Sequence, residues 1–203
     1  MVESRDKLRR ATISHRRALA QADCLAWSHS IQARAIALSH YRAAPYVALY
    51  SPVENEVATQ VILDDALSSG KMVFYPKLNS SGSSDFARVR SVDDFIDGGF
   101  GIPEPAGADS IPLGESDNLI VFIPGVLFDR CGNRLGRGRG WYDRVLSKLG
   151  SHGVFVGLAY EFQLIEGLAA ESWDQRVHFI ITEKTVIDSG STSHESKGIG
   201  RYI

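Results

Sequence analysis

The stretch that decides the fold is residues 119–144, Leu119-Ile120-Val121-Phe122-Ile123-Pro124-Gly125-Val126-Leu127-Phe128-Asp129-Arg130-Cys131-Gly132-Asn133-Arg134-Leu135-Gly136-Arg137-Gly138-Arg139-Gly140-Trp141-Tyr142-Asp143-Arg144. Its first five residues form a continuous apolar run closed by Pro124-Gly125, the pattern of a strand buried on both faces of a sheet. A long glycine-rich loop follows, and a helix is predicted over about 141–149. Strand, loop and helix in that order announce an α/β unit. Upstream, short β-rich runs fall at 46–50, at 72–75 ending at Pro76, and at 85–89. A helix at 59–69 has Gly70 as its C′ residue. Two helices open the chain. In the first, Leu8, Ile13 and Leu19 are thin apolar positions among basic ones. In the second, Cys24, Trp27, Ile31, Ala35 and Leu38 follow spacings of three and four, and Asp23 or Gln21 is the expected cap. Downstream, strands are predicted at 154–160 and 178–182, with a loop at 78–84 and a turn-rich stretch at 98–105. The expectation is a three-layer α/β/α fold with a mainly parallel sheet, residues 1–188 forming one domain and 189–203 a flexible polar tail. Strand order is not readable.

The chain has 203 residues, 44% apolar and 23% charged, enough for one independent core, which sets aside collagen-like, mucin-like and disordered readings. The apolar run at 119–123 is far short of the roughly 20 residues that span a bilayer, so no membrane partner is expected. The opening segment is charged and lacks the apolar core of a secretory signal. Cys24 and Cys131 show no metal or disulfide spacing, which suggests free thiols and a cytoplasmic protein. A monomer is expected, with an oligomer left open.

Net charge is −2, but it is unevenly spread. Residues 3–17 and 129–148 each hold six basic and two acidic groups, while the remainder holds ten basic and twenty acidic. Two basic islands on an acidic body suggest a localised anion site for a polyphosphate or polycarboxylate. A nucleic-acid surface would need a wider basic field and usually a basic pI; here the pI is about 6.3, and no nucleic-acid partner is expected. The loop carries the second island. Gly136, Gly138 and Gly140 alternate with Arg137 and Arg139 just before a helix. Backbone N–H groups of such a loop can turn inward around phosphate oxygens, the helix start adds more, and arginines supply fork-shaped donors. It is neither a Walker A loop, which needs GK[ST], nor the GxGxxG dinucleotide fingerprint. The bland alternative is an arginine-rich surface turn.

The segment Gly132-Asn133-Arg134-Leu135-Gly136-Arg137-Gly138-Arg139-Gly140-Trp141-Tyr142-Asp143-Arg144, preceded by Pro124-Gly125-Val126-Leu127-Phe128-Asp129, closely resembles the ATP-binding signature of 5-formyltetrahydrofolate cyclo-ligases (methenyltetrahydrofolate synthetases). Further matches fall in the family's order along nearly the whole chain. They are Leu8-Arg9 with Arg16-Arg17-Ala18-Leu19, Glu56-Val57-Ala58-Thr59, Tyr75-Pro76-Lys77, Gly101-Ile102-Pro103-Glu104-Pro105, Gly157-Leu158-Ala159-Tyr160 with Gln163, and Asp174 with Thr182-Glu183. Arg5 stands where the family has a lysine, Trp141 where it usually has Tyr or Phe, and His178 where it often has an acid.

The resemblance implies ATP-dependent closure of 5-formyltetrahydrofolate to 5,10-methenyltetrahydrofolate with release of ADP and phosphate. Phosphorylation of the formyl oxygen would turn it into a leaving group for attack by N10. On this reading Arg5, Arg9, Arg134, Leu135, Gly136, Arg137, Gly138, Arg139, Gly140, Trp141 and Tyr142 bind ATP. Arg139, Arg137 and Tyr142 are the catalytic candidates, with Arg139 nearest the transferring group. Tyr50 and Glu56 bind the folate, and Asp143 and Asp174 hold Mg²⁺. A folate-binding module without turnover, or a phosphotransferase using the same loop, are the alternatives that the residues alone leave open.

Arg139→Ala is expected to lower kcat by about 10²–10³ while folate affinity holds, the usual cost of losing one preorganised donor to transition-state charge. Steady-state kinetics decide it: an unchanged kcat with a raised KM for ATP alone would make Arg139 a ground-state anchor.

Overall fold

The computed structural model describes residues 4–78, 84–98, 101–111, 118–138 and 140–190. The chain order is α1 (Arg5–Arg17), α2 (Gln21–Ala37), α3 (Ser39–Ala43), β1 (Tyr46–Ala48), α4 (Gln60–Ser68), β2 (Met72–Leu78), β3 (Ser84–Val89), β4 (Phe95–Asp97), β5 (Pro103–Pro105), β6 (Leu119–Pro124), β7 (Leu127–Asp129), β8 (Arg134–Leu135), α5 (Trp141–Leu149), β9 (Gly153–Leu158), β10 (Leu164–Ile165), β11 (Phe179–Ile181) and β12 (Val186–Asp188). The core of the 78–84 loop, at 79–83, lies outside the described residues, as do Arg139 and residues 191–203 of the expected tail.

The apolar run at 119–123 is the inner strand its composition requires. β6 lies between β1 and β9, parallel to both, with Ile120 opposite Val47 and Val154, and Phe122 opposite Val156. The seven-stranded sheet runs β12-β11-β9-β6-β1-β2-β3; its five inner strands are parallel, and β12 and β3 are antiparallel edges. Alternation along β6 splits its side chains between two cores. Ile120 and Phe122 meet Ile31 and Ala35 of α2, Tyr41 of α3 and Ile62 and Leu63 of α4. Leu119, Val121 and Ile123 meet Val145, Leu146 and Leu149 of α5 on the other face. The result is the expected three layers. None of the described helices is long and apolar enough to cross a membrane.

Several boundaries differ from the sequence reading. The cap of α2 is Ala20, with no side-chain hydrogen bond, and not Asp23 or Gln21. β2 continues through Pro76 to Leu78. The Phe74 carbonyl accepts from Leu49 N–H on the β1 side, so Pro76, two residues on, directs its missing donor to the same side, where β1 has already ended. The turn-rich stretch contains β5, which pairs antiparallel with β4 just before it, and the glycine-rich loop contains β7 and β8, which join β10 in a small sheet.

α1 stands outside the three layers. Ser4 caps it by accepting from Lys7 N–H. Its inward stripe is residues 5, 8, 9, 12, 13 and 16, at helical spacing, with the outward face exposed. Leu8 and Ile13 of this stripe pack on Val126, Leu127 and Leu135, while Arg5, Arg9 and Arg16 share it. Strand order reverses between the parallel strands β1, followed by β2 on one side, and β6, followed in the same sheet by β9 on the other. The carboxyl ends of strands at such a switch point form a crevice.

Candidate active site

A pocket of about 500 Å³ occupies that crevice. Tyr50 and Ser51 after β1, Pro76 of β2 and Pro124-Gly125 at the end of β6 form its base. Arg5 and Arg9 enter from α1. The glycine loop contributes Arg134, Gly136, Arg137, Gly138 and Gly140, and α5 contributes Trp141, Tyr142 and Asp143. Val53 and Glu56 come from the β1–α4 loop; Ile102, Pro103 and Glu104 form one rim, and Glu171, Trp173 and Asp174 another. Its volume suits a ligand of cofactor size.

Gly138 and Gly140 hold φ of +96° and +60°, a left-handed backbone that side chains with a Cβ resist. Gly140 is the N-cap of α5 and no side chain caps that helix, which leaves its first N–H groups for a ligand or solvent. Arg9 Nε donates to the Gly136 carbonyl at 2.9 Å and its guanidinium lies over Gly138, tying α1 to the loop. Arg134 donates to Asp143 Oδ1 at 2.8 Å, with its guanidinium 5.5 Å from the centre of the Tyr142 ring. Arg5 donates to Asp174 Oδ2 at 2.9 Å. Among the described residues, the buried N–H donors that find no acceptor are Arg5 Nε, Arg88 Nε, Arg134 Nε and Trp141 Nε1, and all but Arg88 line this pocket. A wall with surplus donors calls for an anion, because a buried donor without a partner costs about 1–3 kcal/mol.

A second cluster in the pocket is built around Glu56, which Arg137 joins to the glycine loop. Its Oε1 accepts from Arg16 at 3.2 Å and from Arg137 Nε and Nη2 at 3.3 and 3.0 Å, while Oε2 accepts from Val53 N–H at 3.2 Å. Arg16 is only 1% exposed; it also donates to the Glu54 carbonyl at 3.0 Å and the Gly125 carbonyl at 3.2 Å. Burial draws the Arg16 pKa down and the neighbouring Glu56 carboxylate opposes this. Tyr50 donates to the Val57 carbonyl at 2.8 Å. Burial, reinforced by the Glu56 charge, pushes the phenols of Tyr50 and Tyr142 well above their ordinary value, so both remain neutral. A neutral phenol at Tyr142 can donate a hydrogen bond and is not poised to act as a base.

Of the residues singled out in the sequence, Arg5, Arg9, Tyr50, Glu56, Arg134, Gly136, Arg137, Gly138, Gly140, Trp141, Tyr142, Asp143 and Asp174 converge on this one pocket. Leu135 does not: it is 1% exposed and belongs to the apolar cluster under α1. Arg139 lies outside the described residues. Arg16, Glu54, Glu171 and Trp173 were missed as site-building residues. For Arg16 a signal existed, since it sits three residues after Ile13 on the inward stripe of α1. Gln163 also supports the base of the pocket, donating to the carbonyls of Gly125 and Val126 at 2.9 Å. Among the described residues no three His, Cys, Asp or Glu side chains gather as a metal centre. Asp143 and Asp174 share one wall, where Gln175 N–H reaches Asp143 Oδ1 at 3.4 Å, and each shares an oxygen with an arginine. Two hard oxygen ligands suit Mg²⁺ when ligand phosphates and waters complete its shell.

Residues 1–183 match the 5-formyltetrahydrofolate cyclo-ligase family. The chain belongs to that family. It is 35% identical over 150 residues to the 5-formyltetrahydrofolate cyclo-ligase of Haemophilus influenzae, covering 71% of this chain and 79% of the relative. With the mouse cyclo-ligase it shares 28% identity over 187 residues, covering 86% and 91%. The solved structure of Aquifex aeolicus 5,10-methenyltetrahydrofolate synthetase superposes with a TM-score of 0.81 at 29% identity, covering 98% of this chain and 97% of that one. The synthetase of Mycoplasma pneumoniae gives 0.72 at 26%, covering 89% and 99%. The family thus accounts for the whole three-layer architecture.

Gly138→Val is expected to lower affinity for ADP at least about tenfold while the protein stays folded, because a β-branched residue resists φ near +96° and displaces the backbone N–H groups. Calorimetry on a variant with a native-like circular dichroism spectrum checks this; unchanged affinity would remove the phosphate cradle from the loop.

Proposed function

We propose that this pocket closes 5-formyltetrahydrofolate to 5,10-methenyltetrahydrofolate at the expense of ATP. The observation that carries the reading is the division of the pocket into two unlike walls. One presents a glycine loop, a helix start and buried arginine N–H donors in excess of acceptors. The other presents the Glu56 carboxylate with Tyr50, and Tyr142 of α5 stands between the two, beside Arg134 and within the field of Glu56. The first suits a triphosphate. The second suits a pterin, whose amino and ring N–H groups form a donor pair for a carboxylate.

In the reaction the formyl oxygen attacks the γ-phosphorus of ATP and ADP leaves. N10 of the folate then attacks the formyl carbon, loses its proton, and the C–O bond breaks to release phosphate. The chain's own part is positioning and electrostatics. Arg134, Arg137 and Arg5, with Arg9 bracing the loop, hold the phosphates in line, and Arg139 takes the charge that develops on the transferring group. Glu56 orients the pterin, Tyr50 and Trp141 bound its faces, and Tyr142 donates a hydrogen bond as a neutral phenol. Asp143 and Asp174 are the residues that would hold Mg²⁺, which supplies charge neutralisation at the phosphate oxygens. Cys24 and Cys131 are free thiols, which agrees with a reducing cytoplasm.

The test is stoichiometric. Purified protein with ATP and Mg²⁺ should release one ADP for each 5,10-methenyltetrahydrofolate formed, and none without 5-formyltetrahydrofolate. ADP release with another acceptor would favour a phosphotransferase, and folate binding without ADP release would favour a binding module.

A further inference from the structure

On the reading that the pocket takes a folate and a nucleotide, we propose that Glu54 is a positioning residue that couples the two sites through Arg137. Glu54 does not line the pocket. Its Oε2 nevertheless accepts from Arg137 Nη1 at 2.6 Å, while Nε and Nη2 of the same guanidinium are spent on Glu56 Oε1. Three of the five donors of a loop arginine are therefore directed at two carboxylates of the facing loop. The same contacts occupy the carboxylate that the pterin needs.

The backbone at this point is held against its own preference. Glu54 and Asn55 are consecutive non-glycine residues with φ of +51° and +57°. Such strain persists only where surrounding contacts over-determine it. Here Arg16 Nε fixes the Glu54 carbonyl at 3.0 Å, and Asn55 Nδ2 donates to the Arg16 carbonyl at 3.1 Å and to that of Arg17 at 3.4 Å. This anchored turn aims the Glu54 side chain at Arg137 on one side and at Arg17 on the other, the latter pair in close contact.

Arg137 cannot give the same N–H groups to a phosphate and to these carboxylates at once. A pterin that takes Glu56 Oε1 releases two of the three bonds that hold Arg137, and a nucleotide that takes Arg137 leaves Glu56 Oε1 to Arg16 alone. Each ligand removes a competitor of the other, so their binding is positively coupled, and by linkage the coupling is reciprocal. Glu54 sets how firmly Arg137 is held back when neither ligand is bound. Arg17 tempers it by competing for the same carboxylate.

The experiment measures calorimetric affinities for a non-hydrolysable ATP analogue with Mg²⁺, alone and at saturating 5-formyltetrahydrofolate. In the unsubstituted protein the folate should tighten analogue binding, by about two- to fivefold for partly exposed pairs of this kind. Glu54→Gln should tighten the analogue alone by a similar factor and shrink the effect of folate. Arg17→Gln, which leaves Glu54 entirely to Arg137, should weaken the analogue alone and enlarge it. A merely structural turn would shift both variants in the same direction, and that result would overturn the proposal, as would variants indistinguishable from the parent. If the parent binds both ligands without coupling, the inference falls and the function stands; if it binds neither, both fall.

Discussion

A guanidinium sealed inside a protein must have its charge matched and its donors given acceptors, and the organisation of this pocket depends on how that demand is met for Arg16. Its partners are the Glu56 carboxylate, the Glu54 carbonyl and the Gly125 carbonyl. These belong to the β1–α4 loop and to the turn after β6, while Arg16 itself belongs to α1. One side chain thus joins the helix that lies outside the layers to both strands flanking the switch point. Replacing such a pair with apolar groups can be neutral for stability, but removing one partner leaves an uncompensated buried charge. The arrangement therefore buys placement more than stability: it fixes where Glu56 sits.

Charge elsewhere in the pocket follows from that placement. α1 turns Arg5 and Arg9 inward beside Arg16, the glycine loop adds Arg134 and Arg137, and the acids Glu54, Glu56, Asp143 and Asp174 pair with all of these but Arg9, whose carboxylate is Asp6. What the acids leave over is N–H groups in search of acceptors, on the side where the left-handed glycines keep the backbone open. The separation of a carboxylate-centred wall from a donor-rich wall is a consequence of this pairing.

Much of this was legible in the sequence, and what was not has a common cause. β6 and α5 were readable because their signals are local: an uninterrupted apolar run, and a glycine followed by an apolar stripe. The glycine loop was readable as an anion site because glycine and arginine alternate just before a helix, whereas Tyr50, Glu56, Asp143 and Asp174 received their roles through the family resemblance. Strand order, by contrast, is set by which strands pair across long stretches of chain, and no local pattern encodes it. β7 and β8 are two or three residues long, too short to show an alternating pattern, so their segment read as loop; β10, equally short, forms by pairing with β7 from far along the chain. Leu135 sits between Arg134 and Gly136 and was counted with them, yet it fills the core beneath α1. Arg16 and Arg137 had partners 40 and 81 residues away, and charged residues default to solvent when no partner is visible.

The Arg16–Glu56 pair is a coupled, buried junction on which the pocket is built. A double-mutant cycle with Arg16→Met and Glu56→Gln, read by reversible urea unfolding, tests it most directly. The account predicts that each single substitution destabilises by about 3–5 kcal/mol, as breaking one side of a buried pair does, and that the double variant recovers enough to give a coupling of about 1–3 kcal/mol. Strictly additive effects, or single losses within about 0.5 kcal/mol of the parent, would contradict it.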